Sequence, residues 1–146
     1  MIVVLTLGFV AMAACLGLQA IASVVAVRYF VHVGKLPLGS SPWRTIFIQF
    51  SVLMIVLMLG NIVQITFWAL IYRVLGAFDD IQTAWYFSGV TFTSLGYGDV
   101  VLKDRMRMLA PLQAANGLMM FGITTTMFFA AVQRAIAKWP ASRPAD

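Results

Sequence analysis

Three stretches of this chain contain no charged residue at all: positions 1–27, 45–72 and 108–133. A helix of roughly 20 apolar residues crosses the hydrocarbon core of a bilayer, so each stretch is long enough to span one. The rest of the composition agrees. Of the 146 residues, 62% are hydrophobic and 10% charged, whereas charged residues make up about a quarter of a soluble domain. With lipid as the solvent, backbone N–H and C=O groups must be satisfied inside helices or closed barrels. Spans of this length and composition predict an all-α membrane protein.

The length suits one domain, and the single cysteine, Cys15, gives no disulfide framework within the chain; it reads as a small buried apolar residue. The net charge of +5 marks the cytoplasmic flanks of a membrane protein rather than a polyanion site, since no basic run is interleaved with aromatics. Nucleic acid is not an expected partner.

The first apolar run has a second reading as a signal peptide, because Met12-Ala13-Ala14-Cys15 resembles a degenerate lipoprotein cleavage site. No basic residue precedes it, however, and the apolar character continues past Cys15, which favours a retained span. Its small residues, Ala13, Ala14, Gly17, Ala20, Ala22, Ser23 and Ala26, predict close packing against other helices. From Arg28 to Arg44, Gly34, Pro37, Gly39 and Pro42 predict a short polar connection. The second run holds Asn61 and Gln64, expected to hydrogen-bond between helices, and ends in Trp68 and Tyr72, whose rings suit the headgroup zone.

Between the second and third runs lies 79–99, too short to cross by itself. Asp79 with Gln82 three positions on has capping-box spacing, and Asp80 suits the positive first turn of a helix. The segment then ends in Thr93 to Val100, TSLGYGDV. A helix that enters the membrane part of the way and stops at glycines is a re-entrant loop, tolerated only where protein buries it or water lines it. Its bare carbonyls need partners, at a cost of several kcal/mol each if they have none, and a dehydrated cation is one such partner. Gly96 and Gly98 take positive φ without steric penalty, so successive carbonyls can turn to one side, and the Ser94 hydroxyl can join that row. One chain supplies one row. A cage needs a ring of identical subunits.

The segment TSLGYGD resembles the selectivity-filter signature of the potassium channel pore-domain family, commonly T-T-V-G-Y-G-D, and the likeness extends from Phe78 to Phe129. The resemblance implies three transmembrane helices with a re-entrant pore helix and filter loop, assembled as a homotetrameric pore. It assigns Ser94, Leu95, Gly96, Tyr97 and Gly98 to the filter, with K+ held at Ser94, Leu95, Gly96 and Tyr97. Asp99 would stand at the outer mouth, bonded by Tyr86 from the pore helix. Gly117 falls close to a hinge glycine of related inner helices, and Gly122 is a second candidate for a bend. Asn116 and Thr124 are expected to face a water-filled pore, because polar groups avoid lipid. Ser94 and Leu95 stand where threonine and valine are usual, and Val90 stands where some relatives carry a glutamate.

On this reading 1–31 is an N-terminal transmembrane helix, 32–44 a cytoplasmic connection and 45–146 a pore domain. The pore domain divides into an outer helix at 45–75, a pore helix at 79–93, the filter at 94–98, an inner helix at 106–136 and a short basic tail. With the filter outside, Arg28, Lys35, Arg44 and the tail lie inside, six of the ten Lys and Arg residues, in accord with the positive-inside rule. The N-terminus would then be outside and the C-terminus cytoplasmic, in an inner or plasma membrane.

No interior arginine ladder marks a voltage sensor, which leaves gating to the filter, the inner helices, lipid or a separate regulatory subunit. His32, a residue type that can sense pH, reads as a solvated loop residue. No cofactor is expected beyond K+ as the transported ion. The rivals are a membrane subunit of a potassium uptake transporter and a non-conducting scaffold. An enzyme is not expected, since the sole histidine, the sole cysteine and the acids form no metal or nucleophile spacing.

Overall fold

The computed structural model describes residues 2–33 and 42–138. Four α-helices follow one another: α1 at Ile2–Val33, α2 at Pro42–Val74, α3 at Ile81–Phe92 and α4 at Leu109–Lys138, the last preceded by a 3₁₀ turn at Asp104–Met108. There is no strand among the described residues. Windows of 31, 29 and 31 residues in α1, α2 and the turn with α4 are apolar enough to cross a membrane. At about 1.5 Å per residue each exceeds the roughly 30 Å of hydrocarbon, whereas α3 reaches only about 18 Å and does not span.

Local chemistry explains most boundaries. α2 opens on Pro42, a residue suited to the first helical position because its missing N–H would have no partner there; the sequence suggested that Pro42 would break a helix. α2 closes on Gly76 at φ +69°, with Ala77 N–H bonded to the Tyr72 carbonyl at 2.9 Å and Gly76 N–H to Arg73 at 3.2 Å, the pairing of a Schellman cap. α3 is capped by Asp80 rather than Asp79: the Asp80 carboxylate accepts from Thr83 N–H at 2.7 Å, so the capping register moves one residue on. The Thr83 side chain first, and its N–H second, hold the Asp80 carboxyl below its ordinary value. The inner helix becomes regular at Leu109, not 106, and Pro111 falls in its first turn, where a missing donor costs nothing. α1 runs through Arg28 to Val33, and His32 is exposed in its last turn. The connection at 34–41, with Lys35, and the tail beyond 138, with Arg143, lie outside the described residues.

α1 packs against both α2 and α4 of its own chain, and α3 lies against α2 and α4. Gly8, Ala11, Cys15, Gln19, Ser23 and Ala26 form the buried stripe of α1, recurring at three- and four-residue steps. An added Cβ at Gly8 would lie 2.5 Å from Leu112 Cδ1. Of the small residues noted in the sequence, only Ser23 and Ala26 lie fully in this interface; Ala13, Ala14, Gly17 and Ala20 are exposed.

Two apolar clusters fill the bundle. One surrounds α3 and includes Trp68, Tyr72, Phe87, Phe92 and Leu109; the other, at the far end, holds Ala26, Leu53, Leu57 and Ala131. Trp68 and Tyr72 are fully buried, not at a lipid headgroup surface as their place near a helix end suggested. Tyr72 instead stacks edge-on with Phe87 at 5.2 Å and donates its hydroxyl to Gln113 Oε1 at 2.7 Å. Between the clusters, Gln64 Nε2 donates to Gln19 Oε1 at 2.8 Å and Gln19 Nε2 to Thr124 Oγ1 at 3.3 Å. This is an interhelical bond of the kind expected for Gln64.

Candidate functional site

The segment Thr93–Asp99 leaves the end of α3 and is exposed throughout. Its first N–H groups turn back onto the helix: Thr93 to the Gly89 carbonyl at 3.0 Å, Ser94 to Thr91 at 3.0 Å, and Leu95 to Val90 at 2.9 Å. Thr93 Oγ1 adds a bond to Gly89 at 2.8 Å. These contacts satisfy last-turn carbonyls of α3 and fix where the non-helical chain begins.

Beyond that point the backbone alternates. Ser94, Gly96 and Gly98 have φ of +58°, +60° and +77°, with Leu95 and Tyr97 between them outside that region. For the two glycines this conformation carries no steric penalty, whereas a residue with a Cβ gives up about 1–2 kcal/mol there. The sequence pointed to Gly96 and Gly98 but not to Ser94, whose hydroxyl drew attention instead. Leu95 and Tyr97 are 55% and 66% exposed on the single chain.

At the C-terminal end of the segment the Tyr86 hydroxyl donates to Asp99 Oδ2 at 2.7 Å, while Asp99 Oδ1 accepts from Val100 N–H at 3.0 Å. The Tyr86 hydroxyl holds the Asp99 carboxyl below its ordinary value, and the same bond raises the Tyr86 phenol. Beside this pair, Trp85 Nε1 donates to Thr66 Oγ1 on α2 at 3.1 Å.

Two of the expected pore-facing residues turn the other way. Asn116 is fully buried within the chain, beside Cys15, without closing a hydrogen bond. Thr124 is half-buried and accepts from Gln19 on α1. Both lie on the α4 stripe of Leu109, Gln113, Asn116, Met120 and Thr124, which faces the bundle. A side chain buried inside one subunit stays out of any pore that several subunits make. The uncovered stripe of α4 instead carries Leu118, Gly122, Thr125, Phe129 and Gln133.

Gly117 has a packing reason to be glycine. A Cβ there would collide with the Phe92 carbonyl oxygen, so the backbone of α4 rests directly on the C-terminal end of α3. Gly122 has no atom within 4 Å of the same position.

A membrane bundle with a short non-spanning helix and an alternating glycine segment between two spans defines a class, that of pore-forming channels. The family described as ion channel matches residues 55–134, more than half of the 146, and this chain belongs to that family, which is found in potassium channels. The match runs from the middle of α2 to Arg134, so α1 lies outside it. No curated protein and no solved structure matches the chain.

Proposed function

We propose that the protein is a potassium-selective channel that conducts K+ passively as a homotetramer, with the backbone of Ser94–Gly98 as its ion row. The observation that carries this reading is the positive φ at every second residue, Ser94, Gly96 and Gly98. Alternation of that kind turns successive carbonyls toward one side, where four rows replace the hydration shell of a cation. The exposure of Leu95 and Tyr97 on the single subunit suits a segment that packs against neighbouring copies. Asp99 and Tyr86 then support the outer mouth, and the uncovered face of α4, with Gly122, Thr125 and Gln133, lines the lower pore.

The orientation follows from charge. With Asp99 outside, six of ten basic residues lie on the side of the C-terminus, which by the positive-inside rule is cytoplasmic. The N-terminus is then outside, in a cell membrane. The reading needs no cofactor and no catalytic chemistry.

The test is ion flux into liposomes carrying the purified protein, with sodium as the comparison ion and Gly96→Ala as the variant. The substitution meets no neighbour but forces a Cβ into φ +60°, a strain of about 1–2 kcal/mol at each copy of the row. Potassium flux should exceed sodium flux and disappear in the variant. Equal flux of the two ions through the native protein would overturn the reading. With no flux at all, protection of the assembled protein against heat by barium separates a closed channel from a non-conducting protein.

A further inference from the structure

One side chain in the bundle joins the three elements that surround the segment at Ser94. Gln113 on α4 is fully buried. Its Oε1 accepts from the Tyr72 hydroxyl of α2 at 2.7 Å, and its Nε2 donates to Ser88 Oγ at 2.7 Å and to the Ser88 carbonyl at 3.2 Å, both on α3. Ser88 Oγ in turn donates to the Ile65 carbonyl of α2 at 2.7 Å. Tyr72 and Ser88 are likewise fully buried. The orientation of the amide is fixed by chemistry, since a backbone carbonyl only accepts and so Nε2 must face Ser88.

The rest of the buried α3 interface is apolar, built on Ala84, Phe87 and Phe92. Apolar contact is non-directional and lets a short helix roll or slide with little penalty, whereas hydrogen bonds to one side chain and its own backbone carbonyl fix both rotation and depth. Trp85 and Tyr86 tie α3 to α2 and to Asp99. Among the described residues, the side-chain bonds from α4 to α3 all pass through Gln113. A leucine of similar volume would fill this space without the cost of burying an amide; what the amide adds is direction.

We propose that Gln113 is a positioning residue of the ion row: by holding Ser88 it sets the roll and depth of α3, and so the spacing of the carbonyls that follow Thr93. Gln113 touches no ion. The proposal rests on the channel reading above, and its effect is on selectivity rather than on whether the protein assembles.

The experiment measures the potassium-to-sodium permeability ratio of the full-length protein in liposomes, together with thermal unfolding of the assembled protein. Three forms are compared with the native one: Gln113→Leu, Ser88→Ala, and the triple variant Tyr72→Phe/Ser88→Ala/Gln113→Leu. The triple variant removes the network without leaving a lone buried polar side chain, so its unfolding midpoint should stay near the native value. A row displaced by a fraction of an ångström should nonetheless lower the permeability ratio by about tenfold or more in Gln113→Leu and in the triple variant, and by less in Ser88→Ala. If Gln113→Leu does not assemble, the other two carry the test. A native permeability ratio in the triple variant overturns the positioning role and leaves the channel reading intact. A native protein without preference for potassium overturns both.

Discussion

The two halves of α4 are held by different kinds of contact. Near α3, Leu109, Gln113 and Asn116 are fully buried, Gln113 makes directed bonds to α2 and α3, and Gly117 sits against the Phe92 carbonyl. In the other half, Gly122 has open space beside it, and Thr125 and Thr126 spend their hydroxyls on their own helix, bonding the Phe121 and Gly122 carbonyls at 2.9 Å. Apart from the bond from Gln19 Nε2 to Thr124 Oγ1 at 3.3 Å, what holds the far half is apolar: Ala131 with Ala26, Leu53 and Leu57, and the edge-on ring of Phe128 against Phe50 at 5.6 Å. Directed bonds fix a position and apolar contacts tolerate sliding, so the geometry is stiff where the proposed ion row is and permissive where a moving gate would act.

The sharpest way to break this contrast is to add one methyl group to each half. In Gly117→Ala the new Cβ meets a backbone carbonyl, which cannot swing aside as a side chain can. Overpacking of this kind costs about 1–3 kcal/mol and often more when backbone must move. Gly117→Ala should therefore lower the yield and the unfolding midpoint of the purified protein clearly. In Gly122→Ala the methyl enters open space on the subunit, and the helix gains up to about 1 kcal/mol in propensity. Its unfolding midpoint should hold or rise. Equal effects at the two positions would mean that the close approach at Phe92 is not what holds the half of α4 near α3.

A smaller effect is expected from the polar belt between the clusters. Gln19→Leu removes the bonds to Gln64 and Thr124, and interhelical bonds in membranes are worth about 0.6 kcal/mol on average, with a maximum near 1.7. Thermal unfolding in detergent should shift downward by a correspondingly modest amount, less than for Gly117→Ala. A larger shift would move the strongest tie of the bundle from Gln113 to the middle of the membrane.

The legibility of the sequence follows the same division. The spans could be read because the absence of charge over more than 20 residues has one physical outcome in lipid. Gly96 and Gly98 could be read because left-handed backbone favours glycine. The Tyr86 contact to Asp99 came from register within a resemblance. Facing was harder. Asn116 and Thr124 are polar in an apolar span, and the same rule that keeps them from lipid is satisfied by water or by a neighbouring helix. A usable signal was the periodicity: Leu109, Gln113, Asn116 and Met120 recur at steps of four and three, so Asn116 shares a face with two residues that belong in a core. Gln113 and Ser88 escaped notice because each alone is unremarkable, and only the fold brings residues 25 positions apart to 2.7 Å. Asp79 had the capping-box spacing with Gln82, yet Asp80 is the residue whose carboxylate caps α3 through Thr83 N–H.

The smallest expected effect is a flat response to pH at the exposed end of the stiff region. Asp99 is held below the ordinary aspartate value by the Tyr86 hydroxyl, and Tyr86 is raised by the same bond. For the acid, a depressed value means that its contribution is fully present above the ordinary value of about 3.9 and is lost only as the pH falls through the lower one. For the phenol, a raised value keeps the donor proton in place past the ordinary value of about 10, and the contribution is lost as the pH rises through the higher one. The bond therefore survives between those limits, and the potassium-to-sodium permeability ratio should not change across the neutral range on account of this pair. Tyr86→Phe removes the donor at every pH and should hasten the decay of potassium current during sustained opening without altering assembly. An unchanged decay would separate Asp99 from the stability of the ion row and leave α3, through Ser88 and Gln113, as the row's main support.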